Sequence, residues 1–209
     1  MRLRTARLIL WGLVAGASLL FVFVNLGWMK LPEAVRLTRS GITDDALPVG
    51  GEFSLVDAKG QRRSWGEFRG RPVALFFGFT HCPDICPTTL SDLSGMLGEL
   101  KDKGDAVQVV FVTGDPKRDT PEVLRDYLQS FDPRIVGLTG NEREIHQAFK
   151  AFRAFRAIVP LETGDYTVNH SASVFLYDQA GRFAGTLDPE EPVKVRMDKM
   201  IRLVDRKAG

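Results

Sequence analysis

The sequence predicts an α/β fold: a mixed central sheet flanked by helices, with one transmembrane helix ahead of it. Three observations carry that expectation. Charge-free apolar runs at residues 73–79 and 107–112 alternate with helical patterns, the arrangement of parallel strands joined by helices. Residues 173–177 and 182–185 flank Asp178-Gln179-Ala180-Gly181 and form a late antiparallel hairpin. Residues 8–29 carry no charge, with Ser18 and Asn25 as their clearly polar side chains.

Taken in order, that first stretch is long enough to cross a bilayer, which needs roughly 20 apolar residues. Arg2, Arg4 and Arg7 precede it and favour an amino terminus in the cytoplasm with the following domain outside. Trp11 and Trp28 lie near its two ends, where interfacial aromatics sit. A cleaved signal peptide is the rival, but no small-x-small site follows the run, so an uncleaved anchor over residues 1–29 is favoured. Residues 30–50 read as a tether, broken by Pro32, Gly41, Pro48 and Gly50. The globular domain then occupies residues 51–209. It opens with a hairpin, 53–56 and 61–64, around Asp57-Ala58-Lys59-Gly60. The apolar run at 73–79 is a strand buried on both faces. Leu90, Leu93, Met96, Leu97 and Leu100 follow at helical spacing, and 107–112 is a second buried strand. Thr120-Pro121 caps and starts a helix whose apolar face holds Val123, Leu124, Tyr127 and Leu128. Residues 135–138 make a third, short strand. Asn141 and Glu144 form a capping arrangement for a helix containing Ile145, Phe149 and Phe152. Residues 157–169 are expected to be an irregular loop. Val193, Met197, Met200, Ile201 and Val204 mark the closing helix.

Composition limits the function. The net charge is +2, but taking the three leading arginines from the 28 basic residues leaves 25 against 26 acidic ones. Nucleic acid is therefore not the expected partner, since phosphate binding needs a clustered positive excess. No small-molecule substrate is evident either. The chain has two cysteines, both outside the membrane on this topology. A domain of this size does not need one disulfide to fold, so the pair is read as chemical.

That pair lies in Gly78-Phe79-Thr80-His81-Cys82-Pro83-Asp84-Ile85-Cys86-Pro87, which leaves a buried strand and enters a helix. Helix N-termini stabilise thiolates, and an i, i+4 spacing puts both sulfurs on one side of a first helical turn. Such thiolates bind a soft metal or form a disulfide. Iron–sulfur clusters usually need four cysteines, and structural zinc four protein ligands; copper(I) is satisfied by two or three soft ones. Of the three histidines, His81 abuts Cys82 and His146 lies within a helix pattern. His170 immediately precedes the penultimate strand, which in a sheet of this kind neighbours the strand leading to the cysteines. His170 is the best placed third ligand.

The run GFTHCPDICPTTL at 78–90 resembles the signature of SCO/SenC proteins, copper chaperones of cytochrome c oxidase assembly. VTGDPKRDTP at 112–121 and DYTVNHS at 165–171 extend the resemblance to about residues 50–205, with the three blocks in the family's order. The resemblance implies a thioredoxin-like fold and copper ligation by Cys82, Cys86 and His170. It implies copper(I) as the bound form, with copper(II) as a second candidate. It implies delivery to subunit II of the oxidase, other copper chaperones as partners, and an anchor in the bacterial inner membrane with the domain in the periplasm. Two positions depart from the pattern. Asn169 stands where an aspartate is usual, and Gly114 where a branched apolar residue is common, a change expected to loosen the strand end.

Plainer readings stand beside these. A disulfide between Cys82 and Cys86 would close too short a loop to stabilise much. Asp115, Arg118 and Asp119 either cap and link a strand–helix turn, or Asp115 lies near the copper mouth and helps partner docking or redox exchange. Phe149, Phe152 and Phe155, interleaved with Lys150, Arg153 and Arg156, read as one amphipathic helix with an aromatic core face and a basic outer face. The functional alternatives to a metallochaperone are a thiol–disulfide oxidoreductase that keeps the oxidase's copper-ligand cysteines reduced, with Cys82 and Cys86 as the redox pair, and a copper or redox sensor.

Overall fold

The computed structural model describes residues 49–206 together with residues 11, 12, 14–16, 18 and 19, which are helical. Most of the expected membrane span and nearly all of the tether lie outside the described residues. Among the described residues, no helix is long and apolar enough to cross a membrane. Residues 1–46 and 47–209 form two separate compact units, and among the described residues the second holds all the strands.

The polypeptide enters through β1 (Ser54–Asp57) and β2 (Arg62–Ser64), an antiparallel hairpin as expected. Its turn is built by Asp57, whose Oδ1 accepts the amides of Lys59 and Gln61, each at 2.9 Å. A short 3₁₀ helix (Trp65–Phe68) leads to β3 (Val73–Gly78), and α1 (Ile85–Glu99) then returns to β4 (Gln108–Thr113). After α2 (Pro121–Leu128) and β5 (Ile135–Thr139) comes α3 (Glu142–Ala151). The last third holds β6 (Arg156–Pro160), β7 (Tyr166–His170), β8 (Val174–Tyr177), β9 (Phe183–Leu187) and α4 (Val193–Asp205).

Seven strands form one sheet in the order β2-β1-β5-β4-β3-β8-β9. β3 runs parallel to β4 and β4 to β5, whereas β8 joins β3 antiparallel, so the sheet is mixed as the sequence predicts. Every residue of β3 and β4 is buried. Alternation sends Ala74, Phe76, Val109 and Phe111 to one face, against Leu90, Leu93 and Leu97 of α1, Leu124 of α2 and Met200 of α4. Val73, Leu75, Phe77, Val110 and Val112 face the other way, against Ile145, Ala148 and Phe149 of α3, Phe152 and the 3₁₀ helix. Each such large side chain contributes about 1.5–3 kcal/mol on leaving water, which makes the centre of the sheet the rigid part of the molecule. Both sequence-read caps are present. The Thr120 side chain accepts the Val123 amide ahead of Pro121, and Asn141 and Glu144 close a reciprocal capping box.

Three local expectations are corrected. Residues 157–169 are not an irregular loop: β6 and β7 pair antiparallel as a separate two-stranded sheet, from Arg156↔His170 to Pro160↔Tyr166. The turn between them is closed by the Leu161 amide donating to the Asp165 carbonyl at 2.8 Å, with Gly164 at φ +84. The third aromatic helix is shorter than its pattern suggests. α3 ends at Ala151, Arg153 has a positive φ of 53, and Phe155 is 55% exposed, while Phe149 and Phe152 are buried. The basic face dissolves with it, because Arg156 pairs with Glu142 and donates to the Gly114 carbonyl. Gly114 is held on both sides, its own amide donating to the Gly78 carbonyl at 2.6 Å, so the strand end is not loosened.

Candidate metal centre

β3 delivers its carboxyl end to the site. Gly78 is required there by crowding: a Cβ at this position would lie 2.6 Å from the Phe111 ring and 2.9 Å from the Cys86 sulfur. The chain then turns, and the Cys82 amide donates to the Phe79 carbonyl at 3.3 Å. α1 starts only at Ile85, so Cys82 precedes the helix, and the two sulfurs do not share a helical turn as the spacing suggests. They meet by a different route. The Cys86 amide, free because it lies in the first turn, donates to the Cys82 sulfur at 3.4 Å, in the place a capping side chain would occupy. Cys86 is fully buried and Cys82 half-buried, and both are free thiols.

His170 is the last residue of β7 and reaches the same point from the other side. Its Nδ1 lies 2.8 Å from the Ser171 carbonyl oxygen, so this nitrogen carries the proton and donates. Nε2 is left with its lone pair, 3.4 Å from the Cys86 sulfur. The rings of Phe76 and Phe79 meet the imidazole edge-on at 6.1 and 5.7 Å, which fixes its plane. The Cys82 and Cys86 sulfurs and a His170 ring nitrogen all lie within 4.8 Å of one another. His81 and His146 are both exposed and stay outside this group; His81 sits instead against the Thr80 hydroxyl at 3.0 Å.

The two thiols are inequivalent. Accepting the hydrogen bond of the Cys86 side chain, with further donors at the backbone amides of Cys86 and Asp84, pulls Cys82 down to about 4 against the cost of its partial burial. Cys86 moves the other way, raised by that same donation to Cys82 and by burial. One proton is thus shared with the thiolate on the outer sulfur. Two sulfurs and one imidazole, with no carboxylate in the group, suit a soft ion and leave a tetrahedral zinc site one ligand short.

The comparisons with known proteins agree with this chemistry. The sequence pattern of the SCO1/SenC family matches residues 42–205. The chain belongs to the SCO1/SenC family. An SCO2-like protein of Rickettsia prowazekii is 37% identical over 181 residues, spanning 86% of this chain and 87% of the relative. Among solved structures, copper-bound ScoI of Bradyrhizobium japonicum is 37% identical with a TM-score of 0.69, covering 74% of this chain and 99% of that one. Copper-bound yeast Sco1 is 36% identical with a TM-score of 0.71, covering 77% of this chain and 91% of that one. The seven-stranded mixed sheet with helices on both faces is the fold shared with these Sco structures.

One of the two positions where this member departs from the family pattern is structurally quiet. Asn169 is exposed and pairs with Ala157 in the ladder, and the acceptor that orients His170 is a backbone carbonyl. Residues that sequence reasoning left without a firm role turn out to tie together the elements that carry Cys82, Cys86 and His170. Fully buried Asp119 accepts the Thr80 amide at 3.0 Å, the Thr80 hydroxyl at 2.6 Å and the Thr113 hydroxyl. Burial raises its pKa, with the Thr113 and Thr80 donors opposing that rise. Asp115, also buried, accepts the Tyr166 hydroxyl at 2.9 Å and pairs with Arg118. The signal for them was the VTGDPKRDTP block; what it lacked was any indication of which elements its carboxylates touch.

Proposed function

We propose that this chain is a copper metallochaperone that holds one copper ion through Cys82, Cys86 and His170. The convergence of two sulfurs and one imidazole nitrogen within 4.8 Å carries this reading. Copper(I) suits the donor set, because it is satisfied by three soft ligands and leaves room for a recipient's thiolate to attack. The half-buried Cys82 sulfur is the ligand a recipient can reach, and buried Cys86 is the one that retains the ion until exchange is complete. Copper-bound relatives and the family match support copper over other soft metals, and cytochrome c oxidase subunit II is the recipient that the family resemblance implies, with other copper chaperones as partners. The uncharged run at 8–29 behind three arginines supports an anchor in the bacterial inner membrane, with a tether over 30–50 and residues 51–209 in the periplasm.

One observation favours a second activity at the same site. A depressed, partly exposed thiolate beside a buried protonated thiol is the asymmetry of a dithiol reductant. In that role the Cys82 thiolate attacks one sulfur of a partner's disulfide and releases the other as thiolate. Cys86, losing its proton, then attacks Cys82, leaving an intramolecular disulfide and a reduced partner.

The reduced domain, residues 31–209, loaded with copper(I) and mixed with an apo subunit II domain, separates the two readings. The chaperone reading expects one copper per chain, passed on to the recipient, and loss of tight binding in His170→Ala. Disulfide reductase activity that survives His170→Ala, with copper binding unchanged by the substitution, would establish the oxidoreductase instead.

A further inference from the structure

The cysteines and the histidine arrive on elements that are not covalent neighbours, and one short segment touches both. Residues 113–119 leave β4 beside the end of β3. On one side, the Asp119 carboxylate takes both the amide and the hydroxyl of Thr80, two residues before Cys82, and the Thr113 hydroxyl. Its own carbonyl accepts the Thr139 hydroxyl at 2.7 Å, tying the segment to the end of β5. On the other side, the segment grips the β6–β7 hairpin at both ends. At the far end, Asp115 accepts the Tyr166 hydroxyl, while Arg118 donates to the Tyr166 carbonyl at 3.1 Å, lies 3.9 Å over its ring, and stands 3.5 Å from Asp165. At the near end, the Gly114 carbonyl accepts Arg156, the residue that pairs with His170 across the ladder.

We propose that residues 113–119 form a two-armed brace that sets the spacing between His170 and the cysteine pair. Asp119 holds the cysteine turn through Thr80. Asp115, Arg118 and the Gly114 carbonyl hold the histidine hairpin through Tyr166 and Arg156. None of these is a ligand; they are positioning residues, and the hairpin arm acts on the metal through His170 alone. A two-stranded sheet has little cooperativity of its own, so its placement depends on such ties. The inference rests on the copper reading above for its consequence, though not for the mechanical link itself.

Tyr166→Phe tests the hairpin arm while keeping the ring under Arg118, and Arg118→Lys keeps the charge near Asp115 while losing the planar fork. Each is compared with the unaltered protein in full-chain form, in two backgrounds, with copper(I) affinity read by competition against a chelator. Tyr166→Phe and Arg118→Lys should weaken binding about tenfold when His170 is present and leave it unchanged when His170→Ala is already in place. Asp119→Asn, acting through the cysteine turn, should weaken binding in both backgrounds. Equal losses from Tyr166→Phe with and without His170, or none in either, would overturn the hairpin arm. Amide hydrogen exchange on the metal-free protein supplies the independent readout. Tyr166→Phe should speed exchange in β7 without altering β3, and unchanged exchange in β7 refutes the mechanical link even where copper binds normally. Failure of the unaltered protein to bind copper(I), with β7 exchange still accelerated, would instead overturn the copper reading and leave the brace standing.

Discussion

Two regions bring candidate ligands to the same point, and they are built in opposite ways. The cysteines sit where β3, buried at every position, runs into α1, whose inner face packs Leu90, Leu93 and Leu97 into the core. His170 ends a hairpin outside the main sheet, with Ile158 and Val159 of β6 46% and 38% exposed and Val168 of β7 buried beneath. The first region is fixed by burial, the second by a handful of polar ties. Under the proposed chaperone function that contrast has a use: two sulfurs stand on a rigid base, and the imidazole stands on an element that opens at lower cost.

The contrast can be broken first at its rigid side. Cys86→Ser removes the buried sulfur and should abolish retention of copper(I) during gel filtration, a loss that elemental analysis reads directly. Next comes reactivity. The thiolate is the nucleophile, and Cys82 is depressed to about 4 from an ordinary value of 9.0, so it stays ionised at neutral pH and is lost only as pH falls through the folded value. Iodoacetamide should therefore modify the reduced, metal-free protein at Cys82 at a rate that is flat through neutral pH and drops near pH 4. Cys86, raised and buried, should be spared. A rate that climbs steadily toward pH 9 would show that the two thiols are equivalent.

Gly78→Ala sharpens the comparison by pressing on the base without replacing any of the three candidate ligands. The added methyl meets the Phe111 ring and the Cys86 sulfur well inside contact distance, and overpacking of this kind should cost about 1–3 kcal/mol in urea unfolding. The smallest effect is expected on the hairpin. Asn169→Asp restores the usual family residue beside His170, but its side chain is exposed and the imidazole proton already has the Ser171 carbonyl. Copper affinity by chelator competition should change by less than about fivefold.

The rigid region was the legible one. Uninterrupted apolar runs at β3 and β4, leucines at helical spacing in α1 and the Asn141–Glu144 box each have one reading, and the structure matches them. The hairpin was missed because each strand is short and its turn, Leu161–Asp165, is rich in breakers. The signal was nevertheless present, with Ala157-Ile158-Val159 and Tyr166-Thr167-Val168 flanking Glu162-Thr163-Gly164. Phe155 misled for the opposite reason: aromatic spacing continued past Ala151, although Arg153 had already left the helix. The convergence of Cys82, Cys86 and His170 was legible because only one histidine stands before a strand that neighbours β3. The ties through Asp115, Asp119 and Tyr166 were not, since they join side chains 39 and 51 residues apart and follow from no local pattern.

Copper K-edge X-ray absorption of the reduced protein loaded with one equivalent of copper(I) tests the shared site most directly. Two sulfur scatterers and one imidazole nitrogen around copper, with the imidazole contribution gone in His170→Ala, is the expected spectrum. Copper coordinated by sulfur alone, unaltered by that substitution, would contradict the claim that the hairpin and the strand–helix junction hold one ion together.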